Sequence, residues 1–313
     1  MNKVINFGYY TVGILLEFFQ YIWSQIQLRL FYQKWRVTNF LSDYDFVNLE
    51  KPKLLVAITH VTSTEESKCA EKGKEKTDKL TQTIEGIFRS FSGCELKILI
   101  NTITDRHITQ FLPDYQKNKI EVIEQVEIDP MLVGFRSQDE FIKREEQFDW
   151  FLYLEDDIII YDSTFLNKIQ CFNANSGSLK KILLPHRYEM LEGKKTYIDF
   201  SYDPSDNTAF MNWNKLSILE IGELKFCEFG NPHAGLYCLS KEQLKIWRKS
   251  GRFWKEKDIM VGPLESAATC CLFECFSLYK PHPCNLQFLE VQHWDTKYSL
   301  AMKTLSWKSD TRG

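Results

Sequence analysis

The sequence predicts an α/β fold in which a mostly parallel sheet is flanked by helices, with a separate amphipathic segment ahead of it. Two observations carry this prediction. Short apolar runs without polar alternation, LLVAIT at 54–59, LKILIN at 96–101 and WFLYLE at 150–155, have the pattern of strands buried on both faces. Between the first two lies a stretch of helical period, with Leu80, Ile84, Ile87, Phe88 and Phe91 on one face and Gly93 at its end. Strands alternating with helices form βαβ units, and βαβ units build parallel sheets.

The elements follow in order. Lys3 precedes a strongly apolar stretch from Val4 to Trp23, and Arg29, Lys34 and Arg36 follow it. Within the stretch Gly13, Glu17, Gln20, Ser24 and Gln27 recur at spacings of four and three, which gathers them into one narrow helical stripe. Residues 1–37 therefore read as an amphipathic helix on a membrane surface; a spanning helix and a helix packed on the body are the competing readings. Glu17 is costly at the centre of a bilayer, and no small-residue cleavage site follows. For a spanning helix, the basic cluster behind it favours a cytosolic body, the alternative being a type II membrane protein of the secretory pathway. Residues 38–52 read as a linker and 53–313 as one globular domain.

That domain opens with the strand at 54–59. Ser63 to Lys79 carries ten charged residues in 17, five of each sign, and reads as a mobile solvated loop. The helix ending near Gly93 comes next, then strands at 96–101 and 120–127. Ser137 and Glu140 give a capping-box pattern for a helix over 138–148, ahead of the strand at 150–155. KILLP at 181–185 is a further strand leading into His186, Arg187 and Glu189. Residues 191–232, rich in Gly, Asp, Asn and aromatics, read as a substrate-shaping excursion. HAGLYCL at 233–239 returns to a strand, after which Ser240 with Gln243 forms a second capping box and Leu239 with Leu244 a hydrophobic staple. Pro263 opens a helix with Leu264, Ala268, Cys271, Leu272 and Cys275 on its buried face. Residues 276–280 and the stretch from Gln287 to His293 close the domain.

Composition narrows the function. A chain of 313 residues supports one large core with extensions, and 44% hydrophobic with 26% charged residues is an ordinary globular balance. A net charge of −3 lacks the basic footprint of a nucleic-acid binder. Nine cysteines with no C-x-x-C pair exclude a zinc ribbon and thioredoxin-like chemistry, and read as small buried hydrophobes. The chain also has no N-x-S/T site, so a reducing, cytosol-facing compartment is favoured.

The segment DWFLYLEDDIII at 149–160 ends its apolar run in Glu155, Asp156 and Asp157. Ligands of open α/β sheets collect beyond the carboxyl ends of their strands. Adjacent carboxylates there repel one another and are costly to desolvate unless a cation compensates. Hard oxygen ligands suit Mg²⁺ or Mn²⁺, which commonly carry substrate phosphates. In an extended chain Glu155 and Asp157 share a face and Asp156 points the other way. A strand end entering a polar turn is the plain alternative, with Asp162 and Ser163 continuing it.

An apolar strand ending in E-D-D resembles the DXD signature of nucleotide-sugar glycosyltransferases with the GT-A fold. The resemblance extends to the layout of roughly residues 53–300 and implies a Rossmann-related, GT-A-like domain with a nucleotide-sugar half (53–165) and an acceptor half (166–313). It implies Mn²⁺ or Mg²⁺ as cofactor, a nucleotide-sugar donor, and a glycan or lipid-linked acceptor. Asp157 is then the metal ligand, helped by Glu155, while Asp156 faces the donor. His293 in VQHWD sits where such enzymes add a late histidine to the metal or diphosphate; a histidine making ordinary hydrogen bonds beside Trp294 is the other reading, and His282 is the rival position. Glu265 in GPLES, at a helix start in the acceptor half, resembles the base of inverting members, although an acid in the first turn is also favoured by the helix dipole. Asp258 is the alternative base. Thr59 falls where the family binds the nucleoside. Arg136 and Arg187 are placed to reach the diphosphate or substrate hydroxyls, Glu189 to meet hydroxyls or form an exposed ion pair, and His233 with Gly235 to let the backbone approach donor or acceptor.

Other classes fit less well. A haloacid-dehalogenase-like phosphatase would carry D-x-D-x-T/V after the first strand, and a nucleotidyltransferase a Gly-rich loop there, where this chain has HVTSTEES. A membrane-tethered adaptor that keeps the fold without activity is the non-enzyme alternative.

Overall fold

The computed structural model describes residues 51–199, 217–228, 232–253, 259 and 262–300. The chain divides into two compact units, Met1–Glu50 and Lys51–Gly313, so the N-terminal helix and all but the last two residues of the linker lie outside the described residues. No helix among the described residues is long and apolar enough to cross a membrane.

Thirteen strands are described: β1 Lys53–Thr59, β2 Glu95–Ile103, β3 Ile120–Gln125, β4 Trp150–Glu155, β5 Ile158–Ile159, β6 Lys181–Leu183, β7 His186–Leu191, β8 Lys194–Tyr197, β9 Ile218–Ile221, β10 Leu224–Glu228, β11 Leu236–Ser240, β12 Ser277–Pro281 and β13 Glu290–His293. The helices are α1 Thr64–Lys68, α2 Lys74–Ser90, α3 Asp114–Lys117, α4 Arg136–Lys143, α5 Phe165–Asn175, α6 Lys241–Ser250 and α7 Pro263–Ala268. The main sheet has the order β11-β4-β1-β2-β3. Three of its four pairings are parallel, and the edge strand β11 runs antiparallel to β4. Two four-stranded sheets, β6-β12-β10-β9 and β5-β13-β7-β8, stand beside it.

The centre of the main sheet is buried on both faces, which is why β1, β4 and most of β2 read as continuous apolar runs, while the edge strand β3 (IEVIEQ) is only half-buried. Leu54, Val56 and Ile58 of β1 and Leu152 and Leu154 of β4 enter one core with Leu80, Ile84 and Ile87 of α2 and Ile169 of α5. Leu55 and Ala57, with Phe151 and Tyr153, enter the other with Phe141 of α4, Leu244 and Trp247 of α6, and Ala268 of α7. The result is a three-layer α/β domain. Gly86 lets α2 lie close against the chain after β5, because a Cβ there would stand 2.8 Å from the Ile160 carbonyl oxygen.

Three local readings are corrected. Ser63–Lys79 is not a loop: Ser63 and Glu66 form a reciprocal capping box for α1, and α2 already starts at Lys74. Ser137 caps nothing, since α4 begins at Arg136; its hydroxyl instead accepts from Asn101 Nδ2 at 2.8 Å, while Glu140 turns to Lys143 and Arg144. Arg187 and Glu189 do not follow a strand end. They are buried within β7, which pairs with β13 and β8. The second capping box, Ser240 with Gln243, is formed.

Candidate functional site

The parallel strand order 3-2-1-4 reverses between β1 and β4, and open α/β sheets bind ligands in the crevice beyond the carboxyl ends at such a point. Thr59, the last residue of β1, stands in register with Glu155, the last of β4. One residue further, His60 on one strand and Asp156–Asp157 on the other enter the same crevice.

The three carboxylates part toward three neighbours. Asp156 Oδ2 lies 2.5 Å from Nδ1 of the fully buried His60. Burial is the largest influence and would raise the Asp156 carboxyl, but the His60 hydrogen bond and the charges of His60, Lys76 and Lys79 together hold it below the usual range. Asp157 turns to β13, with its Oδ2 3.6 Å from His293 Nε2 and its carbonyl accepting from Trp294 N–H at 2.9 Å. Burial and then the Asp156 charge push the Asp157 carboxyl up, against the pull of His293, Lys79 and Lys76. Glu155 packs beneath β11, where Gly235 in the left-handed region (φ +65) leaves just enough room: a Cβ there would stand 2.9 Å from Glu155 Oε2. Burial and then the Asp157 charge push Glu155 up to about 8, while Arg187 opposes them.

Behind these groups lie two buried networks. His293 Nδ1 is 3.0 Å from Glu189 Oε1, and Glu189 also takes the Ser299 N–H at 2.7 Å, the Ser299 hydroxyl and the Tyr298 N–H at 3.4 Å. The second network centres on Asp199, which receives Arg187 Nε at 2.9 Å and Lys280 Nζ at 2.6 Å; Lys280 also donates to the His233 carbonyl at 2.8 Å. Burial works against the Asp199 charge, yet Lys280 and Arg187 hold its carboxyl well below the usual range. Burial brings Lys280 down to about 8 and, with the Arg187 charge, His233 to about 3.

The remaining sequence-predicted residues are placed as follows. Glu265 is in the first turn of α7, half-buried, and its charge reaches Glu155. Arg136 starts α4 and pairs with Asp139 at 3.6 Å, so its position is set by its own helix. His282 caps the turn at 283–288, accepting from Cys284 N–H. Asp258 lies outside the described residues. The structure thus gathers Thr59, Glu155, Asp156, Asp157, His293 and Arg187 around one crevice, with Glu265 at electrostatic range.

Among the described residues no group of three or more His, Cys, Asp or Glu side chains is arranged to hold a metal ion. An open pair does converge. Two donors about 2.1 Å from one shared ion stand about 3.0–4.2 Å apart, and the 3.6 Å between His293 Nε2 and Asp157 Oδ2 falls in that range while exceeding a hydrogen bond. Asp157 Oδ1 is buried with no hydrogen-bond partner, as a ligand atom held for an ion would be. A pair that leaves positions for substrate phosphates suits Mg²⁺ or Mn²⁺, and the imidazole tilts the choice to Mn²⁺.

Sequence reasoning missed His60, Lys76, Lys79, Asp199 and Lys280. His60 carried a signal, being the first residue beyond a doubly buried strand. Lys76 and Lys79 sit in the first turns of α2, and their charges reach both aspartates. Nothing local marks Asp199 or Lys280.

No family model matches the chain, and no curated protein matches it. Among solved structures it is similar to a glycosyltransferase involved in the glycosylation of the major capsid of PBCV-1, at 12% identity over 82% of this chain and 100% of that one, with a TM-score of 0.37. It is also similar to A197 from STIV, at 12% identity over 73% of this chain and 81% of that one, with a TM-score of 0.34. Likenesses this distant leave the chemistry to be argued from the site itself.

Proposed function

We propose that this protein is a divalent-metal-dependent glycosyltransferase that moves a sugar from a nucleotide-sugar donor to a glycan or lipid-linked acceptor at a membrane surface. One observation supports the reading above the rest: Asp157 and His293 face each other across 3.6 Å at the switch point, with a second Asp157 oxygen buried and unpartnered. Asp157 and His293 would hold the ion. Bound there, Mn²⁺ or Mg²⁺ would neutralise the charge that develops on the leaving diphosphate.

The chain's own residues supply the rest. His60 fixes the Asp156 carboxylate, leaving its second oxygen for donor hydroxyls. Arg187, locked by Asp199, keeps a positive charge beside Glu155 without spending its guanidinium on solvent. Lys76 and Lys79 add positive charge on the β1 side of the crevice, where phosphates would lie. Glu265 takes the proton of the acceptor hydroxyl, holding the nucleophile in line as it forms; Asp258 is the alternative base.

A thermal-shift screen of the full chain with UDP, GDP and CMP sugars, with and without Mn²⁺, tests the reading. A ligand binding only the folded state stabilises it by about 2.7 kcal/mol at a hundredfold excess over Kd. The expected result is a Mn²⁺-dependent shift with one nucleotide that disappears in Asp157→Ala. Absence of any shift across the panel would sink the proposal and favour an inactive adaptor.

A further inference from the structure

We infer that Glu189 is a positioning residue for the cation site: it commits the Nδ1 proton of His293 to itself, so that Nε2 presents its lone pair to the ion shared with Asp157. The inference rests on the divalent reading of the site and deepens it.

The geometry is specific. Glu189 is fully buried on β7, and its Oε1 stands 3.0 Å from His293 Nδ1. Its two oxygens also receive the Ser299 N–H and hydroxyl and the Tyr298 N–H, so each of these hydrogen bonds is one the carboxylate accepts. A carboxylate offers acceptor sites alone, and a neutral imidazole has one N–H. With that N–H turned to Glu189, the other ring nitrogen is a lone pair, and it faces Asp157. At 3.6 Å the two atoms stand beyond hydrogen-bond distance, with space between them for a shared cation. The ring is held on its flank by Tyr298, whose centroid is 5.6 Å away. Partners that fix the tautomer of a ligating histidine are worth about 10–100-fold in metal affinity.

A role confined to anchoring residues 298–299 makes a different prediction. Glutamine at 189 has one acceptor oxygen and one NH₂ donor. With the oxygen serving Ser299, the NH₂ faces Nδ1, turns it into an acceptor, and moves the ring proton to Nε2, pointing at Asp157. The tautomer inverts while the shape stays.

The test uses the full chain with ¹⁵N-labelled histidine at a pH where the His293 ring nitrogens themselves report a neutral imidazole. Long-range ¹H–¹⁵N correlations read the His293 tautomer without metal, and calorimetry reads Mn²⁺ affinity separately. Wild type should show Nδ1–H. Glu189→Gln should show Nε2–H with Mn²⁺ affinity lowered about 10–100-fold, Glu189→Asp should keep Nδ1–H and recover most of the affinity, and Glu189→Gln should add nothing in a His293→Ala background. Wild-type His293 in the Nε2–H form overturns the inference, as does Glu189→Gln with unchanged tautomer and affinity, or a loss of equal size without the ring. Should Glu189→Gln fail to fold, the wild-type tautomer and Glu189→Asp decide. Should the wild type bind no Mn²⁺ with or without nucleotide, the divalent reading falls, and the inference with it, whatever the tautomer.

Discussion

Glu155→Gln should remove a pH-dependent weakness from the fold. Burial and the Asp157 charge keep the Glu155 carboxyl protonated to about 8, against an ordinary value of 4.5. Between those limits the folded state holds a proton that the unfolded chain has released. Stability attached to this group is therefore complete below 4.5 and is lost as pH rises to about 8. The slope is about 1.4 kcal/mol per pH unit, which over this span amounts to about 3–5 kcal/mol. Against a total of about 5–15 kcal/mol for a folded domain, that is readily measured. Urea unfolding of wild type and variant, from about pH 5 to about pH 8.5 in EDTA, gives the difference at each pH. Titrating groups away from Glu155 are present in both proteins and nearly cancel, while the repulsion between Glu155 and Asp157 is part of the difference measured. The variant should gain on the wild type steadily as pH rises. A difference that stays level with pH would refute the placement of Glu155 in a desolvated, charge-crowded position.

Three further outcomes follow from packing and pairing. Gly235→Ala should cost about 2–4 kcal/mol in urea unfolding, combining left-handed backbone strain with overpacking, because its Cβ would meet Ile158 and Glu155 within 3 Å; Gly177→Ala, at φ +75 in open space, should show the strain alone. Lys280→Met should cost about 3–5 kcal/mol in the same assay, since it removes one of the two cations that compensate the buried Asp199 charge. Ser240→Ala should lower stability by about 1 kcal/mol through loss of the α6 capping box and leave Mn²⁺ binding unchanged.

The centre of the main sheet was legible because its strands are buried on both faces, and burial on both faces writes itself into composition: β1 as LLVAI and β4 as WFLYL. What sequence reading lost lay in pairings between distant segments. β7 looked like a polar tail after KILLP, because the β13 and β8 neighbours that bury Arg187 and Glu189 lie elsewhere in the chain. Ser137 matched a capping pattern, yet Asn101 of β2 claims its hydroxyl. The charged run at 63–79 misled in the opposite direction, since a local capping box at Ser63 and Glu66 was legible and outvoted by charge density. At the site the carboxylates announced themselves as a cluster. His60 carried only its place after a doubly buried strand, and its partner Asp156 comes from β4, 96 residues on.

The Trp294 N–H on the Asp157 carbonyl, and the Tyr298 and Ser299 amides on Glu189, bear on the order in which the molecule comes into being. A ribosome delivers the aspartates of β4 long before it delivers β13. Until that last strand docks, Asp157 lacks the histidine that faces it. A nascent or prematurely terminated chain lacking residues 290–299 would own the carboxylates and the main sheet yet be unable to complete the pair. The carboxylates and the histidine that faces them thus come together only in a chain translated past residue 293.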